Sequence, residues 1–142
     1  MKGIMFNEKY GLESAVLHGT KTRTWRADKQ PRYEVGEIVA IKQCYKAGAT
    51  NKMFVKNEIM PHQIRITAVK KCRLQDLTDE ECLREGIETM FLKSMEIVFY
   101  FRNSILYQTE KKAFADLINK LNGKCYWDSN PEGYAYEFEL VK

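Results

Sequence analysis

His18-Gly19-Thr20-Lys21-Thr22-Arg23-Thr24-Trp25-Arg26 packs cations, hydroxyls and an indole into the exit from a helix. The helix is predicted by the residues before it. Leu12, Ala15 and Val16 form one apolar stripe, Asn7 stands at the N-cap position, and Gly19 supplies the left-handed turn that lets the chain reverse after His18. Residues 22–26 then read as a strand. In an extended segment Thr22, Thr24 and Arg26 share one face, and Arg23 and Trp25 share the other. Lys21 and Thr24 are separated by an odd number of positions, so they converge only if Lys21 lies in the turn ahead of the strand.

A threonine hydroxyl beside a lysine amine supports three chemistries. The pair can act as nucleophile and base if burial or a neighbouring cation lowers the lysine pKa. The same groups can hold a phosphate or a carbonyl oxygen without reacting. They can also be no more than β-formers beside a solvated cationic face. These residues alone leave all three open.

Outward from this stretch, the strand signals are far apart in sequence. Residues 37–45 alternate Ile38, Ala40, Lys42 and Cys44 against Val39, Ile41, Gln43 and Tyr45, entered from a turn at Val35-Gly36. Residues 63–72 set Ile64, Ile66 and Ala68 against Arg65, Thr67 and Val69. The clearest period of two sets Tyr134, Tyr136, Phe138 and Leu140 against Ala135, Glu137, Glu139 and Val141. Gly3–Phe6 and Thr22–Arg26 make about five strands, with Glu96–Phe101 as a sixth. Two more helices carry punctuation. Thr78 and Glu81 form a T-x-x-E capping box closed by Gly86, and a segment from Thr109 carries Ala113, Phe114, Leu117, Ile118 and Leu121 before Asn122-Gly123. The pattern is α+β: a small mixed β-barrel of about five to six strands flanked by about three helices, in one domain spanning residues 1–142.

Length and composition agree. The chain has 142 residues, 44% hydrophobic and 30% charged, with 8 Gly and 3 Pro, which excludes a disordered or collagen-like chain. The longest apolar run, Ile97–Phe101, is far short of the roughly 20 residues that cross a bilayer. The start, Met1–Glu8, has no secretory apolar region, and a cytoplasmic location is expected. Cys44, Cys72, Cys82 and Cys125 form no C-x-x-C, and His18 and His62 stand near none of them, so the cysteines read as small apolar residues and no metal or organic cofactor is indicated. The net charge of +4 permits a polyanionic partner, and Lys21, Arg23, Arg26, Lys29 and Arg32 gather within residues 20–32 against the single acid Asp28.

Gly19-Thr20-Lys21-Thr22-Arg23-Thr24-Trp25-Arg26 resembles the G-x-K-T-x-T-x-R signature of the ASCH domain family, which belongs to the PUA-like superfamily of small β-barrels. Ile4-Met5-Phe6 with Ala15-Val16-Leu17 resembles the family's opening strand and helix, and Val35-Gly36-Glu37 its V-G-D turn. Leu77-Thr78 through Glu85-Gly86 resembles its L-T-x-E-x-A-x-x-E-G helix, with Cys82 in place of alanine. Ala113-Phe114, Trp127-Asp128-Ser129-Asn130-Pro131 and Tyr136–Leu140 resemble the closing pattern of its phage- and prophage-associated branch. Residues 46–62 and 88–107 match nothing in the pattern, and Glu132-Gly133 replaces bulky apolar residues common there.

The resemblance implies binding of RNA or of a modified nucleoside in a cleft beside the barrel. Lys21, Arg23, Thr24, Trp25 and Arg26 would form that site, Lys29 and Arg32 would extend its track of cations, and Trp25 or Trp127, with Asn130 nearby, would stack or contact a base. One related branch, the bacterial N(4)-acetylcytidine amidohydrolases, hydrolyses an acetamide with a lysine, a threonine and a glutamate. These fall on Lys21, Thr24 and Glu85, with Arg26 as an oxyanion stabiliser. Recognition of RNA or a nucleoside, hydrolysis of an acylated nucleoside, and a module for a small anionic ligand or a protein partner are the three readings that follow.

Overall fold

The computed structural model describes residues 1–42, 57 and 60–142. Gln43–Tyr45, the far end of one expected strand, and most of the unmatched 46–62 stretch lie outside the described residues. Among them, a five-stranded mixed sheet has the order β1 (Gly3–Met5), β3 (Ile38–Lys42), β4 (Gln63–Arg73), β7 (Glu132–Leu140), β2 (Arg23–Arg26). β1 runs parallel to β3 and the other pairs are antiparallel. The C-terminal strand with the strongest alternation is central, pairing β4 on one side and β2 on the other, so Tyr136 and Phe138 are buried.

The α+β arrangement around a mixed sheet is as expected, with one detail of the expected barrel corrected: among the described residues no backbone ladder closes the sheet. β1 and β2 are its two edges, and a side chain spans the gap between them: Arg26 Nη2 donates to the Met5 carbonyl at 2.8 Å. β1 is only three residues long. A second correction falls in β4, where the pairing skips from Ile66–Phe138 to Ala68–Glu137. The extra residue, Thr67, breaks the alternation, and Val69 rather than Ala68 packs against the core.

The helices follow their punctuation. Asn7 does cap the first, its Oδ1 accepting from Lys9 N at 2.9 Å, but Gly11 sits at φ +74° and divides the segment into a 3-10 turn (Glu8–Tyr10) and α1 (Leu12–Leu17). Thr78 and Glu81 close the capping box of α2 (Asp79–Arg84) through bonds of 3.2 and 2.9 Å. Thr109 caps α3 (Glu110–Asn122), whose Ala113, Phe114, Leu117 and Ile118 are buried. A short α4 (Tyr126–Ser129) follows.

The 88–107 stretch, apart from one expected strand, carried no pattern. It contains an antiparallel hairpin, β5 (Glu88–Phe91) with β6 (Ile97–Tyr100), that forms its own sheet. Val98 and Phe101 pack inward, whereas Phe91 and Met95 are 70% and 82% exposed. Among the described residues no helix is long and apolar enough to cross a membrane.

Candidate functional site

Four polar side chains that sequence would place on a surface are buried together where β2 meets the end of α2. Lys21 is 3%, Arg23 2%, Thr24 4% and Glu85 3% exposed. Three local devices bring them there. Gly19, at φ +80°, turns the chain out of α1, and Thr20 N and Lys21 N both donate to Ala15 O, which leaves Lys21 in the loop ahead of β2. Arg84 ends α2 with Glu85 as its C-cap. Gly86 then takes φ +115°, a backbone conformation that side-chain-bearing residues rarely adopt, and a Cβ there would stand 2.8 Å from Leu12 Cδ2 of α1.

Lys21 Nζ donates to the Arg23 carbonyl at 2.8 Å and the Glu85 carbonyl at 2.6 Å, and lies 3.5 Å from Glu85 Oε1. Burial, partly offset by Glu85, pulls its pKa down to about 8, and the positive charges of Arg26 and Arg23 push in the same direction as burial. Glu85 Oε1 accepts from Trp25 N at 3.1 Å, capping an amide on the outer edge of β2. Thr24 Oγ1 accepts from Arg26 Nε at 3.1 Å, as two residues on one face of a strand can. Phe6 underlies the cations, with Lys21 Nζ 5.8 Å and the Arg26 guanidinium 5.5 Å from its ring centre.

These groups open on a cavity of about 250 Å3. Lys21, Thr24, Arg26 and Glu85 make its polar corner, and Phe114, Leu117, Ile118 and Leu121 of α3 make an apolar wall. The sequence shows these four residues as part of one helical stripe. Its period gave no sign that one end faces a space, because a stripe packed on side chains and a stripe lining a hollow have the same spacing.

Of the other residues singled out, Trp25 also lines the cavity, and Arg23, Trp127, Asn130, Lys29 and Arg32 do not. Arg23 is fully buried and paired, its Nη2 3.1 Å from Glu81 Oε2 and its Nη1 3.7 Å from Glu85 Oε2. The Trp25 indole is only 5% exposed, and its Nε1 donates to Cys72 O at 3.2 Å. It lies against Gly133, where any Cβ would come within 2.6 Å of the ring. Trp127 packs edge-on against Phe114, behind the cavity wall, and Asn130 Oδ1 accepts from Gln75 N at 2.9 Å. Lys29 and Arg32 are exposed, Arg32 pairing with Asp28 at 3.1 Å. The cations of residues 20–32 therefore do not form one surface stripe. Among the described residues no cluster of His, Cys, Asp and Glu could hold a metal ion.

This architecture is the fold of an ASCH domain, as the G-x-K-T-x-T-x-R resemblance implied. It is similar to the crystal structure of an ASCH domain from Lactobacillus crispatus, with a TM-score of 0.58 at 12% identity over 99% of this chain and 79% of that one. A second similar structure is an Enterococcus faecalis protein of the DUF984 family model, with a TM-score of 0.51 at 16% identity over 99% of this chain and 76% of that one. No protein-family model and no curated protein sequence matches the chain.

Proposed function

We propose that this chain is a member of the ASCH family that recognises a modified nucleoside, free or turned out of a single-stranded RNA loop, in the cavity between β2 and α3. The observation that carries this reading is the pairing of a buried corner of Lys21, Thr24, Arg26 and Glu85 with the apolar wall of Phe114, Leu117, Ile118 and Leu121. A heterocycle has the same two sides, an edge of donors and acceptors and an apolar face. The volume of about 250 Å3 suits one base with its substituents rather than several nucleotides. Because Arg26 donates into Thr24 Oγ1, the threonine hydroxyl keeps its own proton to donate to a ligand acceptor.

Burial of Lys21 and Arg23 shifts the balance away from a long phosphate track. Binding through phosphates weakens steeply with salt, whereas a base held by hydrogen bonds and apolar contact does not. The test is a titration of the labelled protein with cytidine, uridine and N(4)-acetylcytidine at two salt concentrations, followed by amide NMR. Saturable shifts confined to residues 21–26, 85 and 114–121, insensitive to salt and lost in Leu117→Trp, are expected. Shifts at Lys29 and Arg32 only, or none at millimolar nucleoside, would refute the reading.

The lowered pKa of Lys21 favours a second reading, hydrolysis of an acylated nucleoside. When neutral, the amine keeps its two N–H bonds on the Arg23 and Glu85 carbonyls and gives up the long bond to Glu85 Oε1, which frees the remaining direction for its lone pair. There it accepts a proton from a water or from the Thr24 hydroxyl. The oxygen adds to the amide carbon, the C–N bond breaks, and Lys21 returns the proton to the leaving amine nitrogen. Where the oxygen is that of Thr24, a water deprotonated by Lys21 then cleaves the acyl ester, releasing the acid and restoring the hydroxyl. Glu85 serves this scheme by orienting Lys21 through its carbonyl, and Arg26 by aiming Thr24. Release of cytidine from N(4)-acetylcytidine, rising with pH through about 8 and abolished in Lys21→Met, supports it. Undiminished release by that variant, or no release at any pH, rejects it.

A further inference from the structure

A carboxylate buried between two cations ordinarily closes a short hydrogen bond with at least one of them. Glu85 does not. Its Oε1 accepts only a long hydrogen bond from Lys21 Nζ, at 3.5 Å, its Oε2 stands 3.7 Å from Arg23 Nη1, and its short bond is to the Trp25 amide at 3.1 Å. Glu85 Oε2 and Arg23 Nη1 and Nε are all buried without a hydrogen-bond partner. Arg23 is drawn the other way, its Nη2 3.1 Å from Glu81 Oε2. Glu81 is in turn fixed, because its other oxygen accepts from Thr78 N in the capping box. The Cys72 thiol lies beside the same guanidinium.

We propose that Arg23 is a positioning residue for the cavity: tethered to the α2 cap through Glu81, its guanidinium holds the Glu85 carboxylate midway, bonded to the β2 edge and short of a closed ion pair with Lys21. The fork matters as much as the charge. A planar guanidinium reaches two acids on different sides at once, which an ammonium on a flexible stem does not. Released from Arg23, Glu85 would close on Lys21, the nearest other cation. Lys21 is faced by Glu85 from α2 and by Arg23 and Arg26 from β2, and these set its affinity for a proton.

The consequence for ligand recognition rests on the function proposed above, but the coupling itself does not, so the test separates them. Nitrogen and carbon NMR on the full chain would follow the Lys21 side-chain titration and the Trp25 amide in Arg23→Lys and Glu81→Gln. Arg23→Lys keeps the charge and loses the fork. Glu85 should then close on Lys21, raising its titration midpoint by about one pH unit and displacing the Trp25 amide resonance. Glu81→Gln retains a carbonyl oxygen for the Thr78 cap but loosens the tether on Arg23, which should then close on Glu85. The Lys21 midpoint should fall, again with a shift at Trp25.

Opposite movements in the two variants support the positioning role, and if Arg23→Lys fails to fold, the fall in Glu81→Gln decides alone. A Lys21 midpoint and Trp25 amide unmoved in the folded variants would overturn it. If no nucleoside binds the native chain while these shifts occur, the proposed function fails and the role of Arg23 stands.

Discussion

Replacing Lys21 with methionine is expected to change the pH dependence of stability more than stability itself. The folded chain holds the Lys21 pKa at about 8 against an ordinary 10.5, chiefly through burial, so the unfolded state binds this proton more tightly. Below pH 8 the amine is charged in both states and the whole cost of burying that charge is present. Between pH 8 and 10.5 the folded state releases the proton first, and the cost is relieved as pH rises. At about 1.4 kcal/mol per pH unit, the drop from 10.5 to about 8 corresponds to about 3 kcal/mol.

Methionine has nearly the shape of the stem and no charge. It removes this pH dependence while leaving the Arg23 and Glu85 carbonyls without a donor. The assay is urea unfolding of both proteins from pH 6.5 to 10.5, read as the difference between their unfolding free energies. That difference cancels the titration of the exposed lysines and tyrosines common to both. It should move in favour of the native chain by about 3 kcal/mol across the window, with its steepest part above pH 8. A difference that stays flat from pH 7 to 10.5 would mean that Lys21 is neither buried as a charge nor depressed, and the argument for its chemistry would go with it.

Gly133→Ala should destabilise by about 1–3 kcal/mol in the same urea assay, because the new Cβ would stand 2.3 Å from Arg26 O and 2.6 Å from the Trp25 ring, and neither backbone nor buried indole yields cheaply. An unchanged midpoint would contradict the packing of Trp25 on this strand. Arg26→Gln should cost about 1–3 kcal/mol and raise hydrogen exchange in β1 more than in β4, since it removes the donor that ties Met5 O to the opposite edge of the sheet. Equal protection of β1 in both proteins would show that the edges need no such strap.

What could be read from the sequence alone was local. Thr78 and Glu81 form their capping box within four consecutive residues, Gly19 ends a helix wherever it is placed, and the alternation of Tyr134–Leu140 exists before any partner strand is chosen. The shared face of Thr24 and Arg26 followed from the period of a strand, and that period also set the condition that Lys21 must lie in the loop if it and Thr24 are to line one cavity. The bulge at Thr67, the open edges of the sheet and the Glu88–Tyr100 hairpin did not, because each depends on which distant segment supplies the pairing.

The site divides the same way. The residue types of the lysine, threonine and glutamate are written in the motif, but the burial of Arg23 is not. A cation in a polar run reads as a solvated face until two acids, 58 and 62 positions further along the chain, close around it. Desolvation is a property of everything packed within a few ångströms, and the chain order holds no record of it. Sequence therefore named the groups at the cavity, and only tertiary packing decided which of them carry a buried charge and which stripe of α3 faces a space.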